Sequence, residues 1–227
     1  MRITKIMLFA VGITFAAFTQ PQAFAQSSFE GTLTMHDSAS GKAMDMTYYY
    51  KGDKVRIETA MKGKEMAFIE DHAAKTTTLI MSAQKMYMTQ PFTDTKPKST
   101  PPNEKPIKTG KTETILGYTC EEWTLATERK GTVLFWLAHG MPSFLPSMGM
   151  DKNGAQTQYH DFFKDNGYPI RMTMTDSTGN LTMRMEAVKI EKKPLDASLF
   201  LPPADYKQFS APSGAQQNPM GMPRSGQ

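Results

Sequence analysis

Apolar and polar residues alternate with a period of two through most of this chain, and turn-forming residues break the alternation about every ten residues. Phe29, Gly31, Leu33 and Met35 share one face of a strand whose other face carries Thr32, Thr34 and His36. Residues 37–42 (DSASGK) read as a turn, after which Met44, Met46, Tyr48 and Tyr50 alternate with Asp45, Thr47 and Tyr49. Lys51-Gly52-Asp53 turns the chain into Val55, Ile57 and Thr59, with Lys54, Arg56 and Glu58 facing outwards. Further strands are predicted at residues 66–69, 76–81, 85–88, 118–127, 132–138, 169–175 and 181–190. Helical spacing is confined to residues 156–165, which place Tyr159, Phe162 and Phe163 on one side and stop at Asn166-Gly167, and to short turns within 141–150 and 195–201. Strands at this spacing form an antiparallel meander. The expected fold class is mainly β with minor α: a single strongly curved antiparallel sheet, a half-open barrel, with a helical lid.

Composition shifts mark the boundaries. Residues 1–25 read as a cleavable signal peptide: Arg2 and Lys5 precede an uncharged apolar run over residues 6–18, and Ala23-Phe24-Ala25 supplies the cleavage pattern before Gln26. That run falls short of the roughly 20 residues a spanning helix needs. No twin arginine precedes it, which favours general secretion, and the residue directly after the cleavage site is Gln26 and not cysteine, which removes a lipid anchor. The expected product is periplasmic or secreted and keeps no transmembrane segment. Ten of the 15 prolines fall in two stretches, residues 91–110 and residues 202–227. The first reads as a long loop within one β-rich domain spanning residues 26–210, and residues 211–227 as a disordered tail.

After leader removal the chain carries 24 basic and 22 acidic residues. Its one lysine cluster, at Lys96, Lys98, Lys105, Lys108 and Lys111, is interleaved with Pro and Thr, with a single aromatic, Phe92, near its start. Nucleic acid requires a concentrated basic face, so no nucleic-acid partner is expected.

Thr109 to Trp123 (TGKTETILGYTCEEW) carries a resemblance. Together with Phe135-Trp136-Leu137-Ala138, Gly167-Tyr168-Pro169-Ile170-Arg171 and the ending from Leu199-Phe200 through Pro203 to Tyr206, it resembles the bacterial secreted family called domain of unknown function 4412. The resemblance covers the chain from about Phe29 to Phe209. It implies an architecture similar to the LolA/LolB-like half-open barrels, which cover an apolar cavity with helices. It brings no catalytic residues.

Catalytic patterns are absent from the sequence: there is no Gly-x-Ser-x-Gly elbow, no His-Glu-x-x-His and no Gly-rich phosphate loop. His36, His72, His139 and His160 lie far apart, and the adjacent His160 and Asp161 diverge by about 100° on a helix. The lone Cys120 has no activating partner by spacing and reads as a small buried apolar residue. The chain is therefore expected to be no enzyme, with no catalytic residues and no cofactor.

Methionine is the compositional outlier, with 19 in the chain. Six Met-x-Met pairs occur: Met44/Met46, Met86/Met88, Met148/Met150, Met172/Met174, Met183/Met185 and Met220/Met222. Residues two apart on a strand point to one face, so four of these pairs are expected to put both thioethers on one side of the sheet. Met is an adaptable apolar filler suited to surfaces that accept variable ligands. The function expected is a non-enzymatic exported binding module of the bacterial cell envelope, for a lipid, another apolar ligand or a lipidated partner. Met44, Met46, Tyr48, Phe162, Phe163, Met172, Met174, Met183 and Met185 are expected to line the apolar face. Two alternatives stay open: a Met-rich periplasmic copper(I)-binding protein with Met148 and Met150 as ligands, and an envelope structural or interaction protein without a small ligand.

Overall fold

The computed structural model of the protein describes residues 29–39, 42–61, 63–91, 105–127, 131–142, 145 and 160–210. Within them, alternation becomes one sheet of twelve strands. In chain order these are β1 (Gly31–Ala39), β2 (Lys42–Lys51), β3 (Lys54–Met61), β4 (Lys64–Asp71), β5 (Thr76–Met81), β6 (Met86–Pro91), β7 (Ile107–Ile115), β8 (Tyr118–Ala126), β9 (Thr132–Ala138), β10 (Tyr168–Thr175), β11 (Leu181–Lys192) and β12 (Lys207–Gln208). Their order across the sheet is β12-β6-β5-β4-β3-β2-β1-β11-β10-β9-β8-β7. Two meanders, β1–β6 and β7–β11, thus lie side by side and are joined by the antiparallel pair β1–β11. The edge strands β12 and β7 do not pair, so the sheet stays open, as a half-open barrel requires. Among the described residues no helix is long and apolar enough to cross a membrane.

The periodicity predicts ten strands, and the structure adds β7 and β12. β7 corrects the loop expected over residues 91–110, because Ile107 to Gly110 already belong to a strand. This is an edge strand, exposed along nearly its whole length, so its residues show no apolar face to read. Its polar side chains serve the pairing instead: Lys108 bridges Glu121 at 2.6 Å, and the Thr109 hydroxyl donates to Glu122 at 2.9 Å. A shift in register between Lys108 and Thr112 bends it, and charge along it protects the open edge.

A second correction concerns residues 37–42. β1 runs on to Ala39 and β2 begins at Lys42, so Asp37 is a strand residue opposite Met44, not a turn residue.

Apolar residues of the inner face, the side that carries the methionine pairs, form the main core around Leu33, Met35, Met46, Tyr48, Val55 and Ile57. Tyr48 and Tyr50 stack, and the Tyr50 hydroxyl meets that of Tyr168 at 3.0 Å, tying β2 to β10. Cys120 is buried and its thiol donates to the Tyr118 carbonyl at 3.2 Å, which agrees with the reading of a small apolar filler. Burial pushes that thiol above its usual pKa and keeps it protonated.

Arg56 and Glu58 face outwards as expected, but the outer face of β3–β5 is not left to solvent. After β11 the chain crosses this face as a strap: Leu195 and Phe200 pack on Ala67, Ile69 and Ile80 in a second core. A 3₁₀ turn over Ala197–Phe200 is capped by Asp196, whose carboxylate accepts from the Ser198 amide at 2.8 Å. Arg56 donates to the Leu199 carbonyl at 3.1 Å, and Tyr49 to Glu58 at 2.8 Å. The strap ends in β12, parallel to β6. Four consecutive residues of β4, Ala67 to Glu70, are buried because both of its faces are covered.

The single α-helix among the described residues, α1 (His160–Asn166), is shorter than the predicted 156–165; residues 156–159 lie outside the described residues. The Gly167 amide closes it onto the Phe163 carbonyl at 2.8 Å, and the Asn166 side chain onto that of Phe162 at 2.8 Å.

Candidate functional site

Side chains directly opposite one another in an antiparallel pair stand on the same face. Register therefore traces one continuous row across six strands: Trp123, Phe135, Met172, Met185, Asp37 and Met44. Val133, Met174 and Met183 run alongside it. On the other side Met35 lies between Ala187 and Met46, and Met46 faces Thr59. The Met86/Met88 pair continues the same face through Met81 and Leu79. All four strand-borne Met-x-Met pairs thus share one side of the sheet; Met148, Met150, Met220 and Met222 lie outside the described residues.

The nine expected lining residues divide into three groups: two in the packed interior, five on the surface beside it, and Phe162 and Phe163 on α1. Met46 and Tyr48 sit in the packed interior, 2% and 5% exposed, and the Tyr48 hydroxyl contacts the Met46 sulfur at 3.6 Å. Met44, Met172, Met174, Met183 and Met185 are half-buried, forming an apolar surface that is neither filled core nor open exterior. α1 borders this surface: Phe162 meets Trp123 edge-on at 5.1 Å, and Phe163 meets Phe135 at 5.2 Å. The short helix is fixed to β8 and β9 by these rings, whose buried area outweighs what seven residues of helix contribute alone.

Three polar atoms stand in this apolar setting without any counterpart in the sequence reading. Asp37 Oδ1, Thr59 Oγ1 and Trp123 Nε1 are buried and have no hydrogen-bond partner among the described residues. Thr59 is only 7% exposed. Buried polar groups are ordinarily paired, and each unpaired one costs about 1–3 kcal/mol. Asp37 is the most unusual, since its register partners are Met44 and Met185 and none of the described ion pairs reaches it. Burial raises its pKa, with the neighbouring His36 offsetting part of the effect. The contribution of a carboxyl whose pKa is raised in the fold is fully present below its unfolded value, about 3.9. That contribution is lost as pH rises through the folded value, so the ionised Asp37 weakens the neutral-pH fold. The continued alternation Leu33, Met35, Asp37 carries the signal, but the Asp-Ser-Ala-Ser-Gly composition argues for a turn and masks it.

The opposite face of the same strands is electrostatically complete. Arg171 pairs with Glu113 at 2.8 Å and Glu186 at 3.3 Å, and lies 5.9 Å from the Trp136 ring centre. Arg184 joins at 2.6 Å from Glu186. His36 and Asp45 pair at 2.6 Å on this side, and Glu122 takes Lys111 at 3.2 Å. The contrast is informative: carboxylates here find partners, whereas Asp37 on the methionine face does not. Among the described residues no group of three or more His, Cys, Asp or Glu side chains could hold a metal ion. Side chains of His160 and Asp161 lie outside what is described.

Known proteins place the chain by fold and by family. An uncharacterized conserved protein from Thermus thermophilus is similar with a TM-score of 0.50, at 10% identity over 81% of this chain and 91% of that one. A chain of the Pseudomonas aeruginosa MucA/MucB complex is similar with a TM-score of 0.51, at 9% identity over 82% of this chain, which spans 60% of that one. A putative outer membrane lipoprotein-sorting protein domain from Vibrio parahaemolyticus matches over 75% of this chain and 87% of that one, at 11% identity and a TM-score of 0.29. At these identities the likeness is one of fold. No curated protein sequence matches significantly. The family model described as Domain of unknown function (DUF4412) matches residues 29–206, from the first buried aromatic of the core to the last aromatic of the strap, and the chain belongs to that family.

Proposed function

We propose that the protein is a non-enzymatic binding module of the cell envelope whose inner face takes the alkyl part of a lipid, or of a lipidated partner. The observation that carries this reading is the half-buried row of methionines and aromatics bordered by α1, with unpaired polar groups set into it. Pockets for apolar ligands combine such a lining with a few placed polar groups, and thioethers adapt to ligands of varied shape. The leader-like residues 1–25 supply the envelope address. The fold shared with a chain of the MucA/MucB complex supports a binding role by analogy.

The test is fluorescence of an environment-sensitive apolar dye such as 1-N-phenylnaphthylamine. Uptake with a blue shift, and release by dodecanol, are expected for the purified protein. Met172→Lys should weaken uptake at least about tenfold, since it sets a charge in the middle of the row. Absence of uptake, or equal uptake by the variant with an unchanged melting temperature, removes the reading.

A second reading rests on one observation. Met172 faces Met185 and Met174 faces Met183, so four thioethers arise from a two-by-two patch. Soft thioethers suit copper(I). Retention of about one equivalent of copper(I) against a competing chelator, abolished by Met174→Leu with Met183→Leu, supports it. Those substitutions preserve apolar character and should leave dye uptake intact. No retention by the unmodified protein excludes copper.

A further inference from the structure

A face meant only to bury hydrocarbon has no use for a carboxylate set among its thioethers. Asp37 stands there, between Met44 and Met185, with Oδ1 buried and unpaired among the described residues. Sequence neighbours do not explain it. His36 and Ser38 occupy the alternate face, where His36 is committed to Asp45 and the Ser38 hydroxyl donates to the Arg184 carbonyl at 3.4 Å. Across the strand pairs, Arg184 is engaged by Glu186 on that same alternate face. The cations of the neighbourhood are thus paired elsewhere, and on its own side Asp37 has two thioethers as register partners, with the Tyr48 ring near enough to feel its charge.

We propose that Asp37 selects the head group: the inner face binds a single-chain amphiphile with a cationic ammonium head, held at the Asp37 carboxylate while the alkyl chain lies along the methionine row. This rests on the reading of the inner face as an alkyl-binding surface and adds the class of ligand to it. Complementarity argues for that class. An ammonium donates charge-assisted hydrogen bonds to the oxygen that lacks them, and in apolar surroundings such pairing is strong. A fatty acid would instead bring a second carboxylate against the first, which the same surroundings penalise. Burial also raises the pKa of Asp37, in keeping with an oxygen that has no donor among the described residues. Thr59 Oγ1 and Trp123 Nε1, unpaired further along the same face, are left as secondary contacts.

The experiment displaces bound 1-N-phenylnaphthylamine with dodecylammonium, dodecanol and dodecanoate, each below its micellar concentration and at neutral pH. Dodecylammonium is expected to displace the dye at a concentration about tenfold or more below that of dodecanoate, and below that of dodecanol as well. In Asp37→Asn, which keeps the shape and removes the charge, that advantage should vanish. Asp45→Asn, which removes a carboxylate from the opposite face, should retain it. Equal potency of the three amphiphiles, an advantage that survives Asp37→Asn, or one lost in Asp45→Asn overturns the assignment while leaving alkyl binding standing. Failure of the dye to enter at all, or of every amphiphile to displace it, overturns alkyl binding and the assignment together.

Discussion

Replacing Gly31 by alanine should lower the thermal midpoint by roughly 8–16 °C, the consequence of about 4 kcal/mol lost from a fold of this size. Two causes act together. The residue has φ +152°, a conformation that side chains disfavour, and a Cβ placed there would lie 2.0 Å from the Glu191 carbonyl oxygen. That oxygen is backbone, so no rotamer relieves the overlap. The strands must separate instead. Gly31 faces Tyr50 of β2 and Lys192 of β11, at the junction where the two meanders meet. Glu30 beside it accepts from the Leu195 amide at 2.8 Å, and its carbonyl from the Lys193 amide at 3.2 Å, so movement here also loosens the start of the strap. Gly52→Ala is the control, because Gly52 has φ +56° with nothing within 4 Å of where the added methyl would stand. It should cost only about 1 kcal/mol. Melting followed by circular dichroism separates the two, and a Gly31→Ala loss no larger than that of Gly52→Ala would refute the steric account.

Phe200→Ala is the second large effect, about 3–4 kcal/mol in urea denaturation. Phe200 is 4% exposed and anchors the strap on Ala67, Ile69 and Ile80. Without the ring, the strap keeps the Asp196 cap and the Arg56 hydrogen bond but loses the apolar contact that offsets the entropy of ordering it. β12 follows the strap and pairs only through two residues, so the β6 edge should open with it. Hydrogen exchange should accelerate at β12 and the outer half of β6, with little change at β10 and β11. Dye uptake should persist under conditions where the variant stays folded, because the ring packs on the face opposite the methionine row. Loss of uptake at unchanged β10 and β11 protection would show that the two faces are coupled.

Much of the architecture was legible in local pattern. Strands β2, β3, β5, β8, β9, β10 and β11 lie close to their predicted positions because each is an apolar or alternating run bounded by turn residues, a signal that does not depend on how many of its faces are covered. β7 and β12 escaped for opposite reasons. β7 is an exposed edge with no apolar side, and β12 is two residues of a strand that exists only because the strap carries it alongside β6. The candidate face was partly legible as well: the methionines were readable as one-sided, whereas Asp37 was not, because its composition signals a turn and only pairing with Met44 and Met185 shows that the strand continues through it.

Which side chains share a face follows from local pattern, since a two-residue period is a property of each extended segment and needs no distant partner. The sequence also determined the family, through motifs that now read as the β7–β8 hairpin, β9, the start of β10 and the strap. How the two meanders join is settled by long-range pairing alone. The β1–β11 pairing joins residues far apart in the chain, and nothing local records it. That single juxtaposition sets Met44, Asp37, Met185 and Met172 in one row, turning separate alternating strands into a continuous surface with a carboxylate set into it.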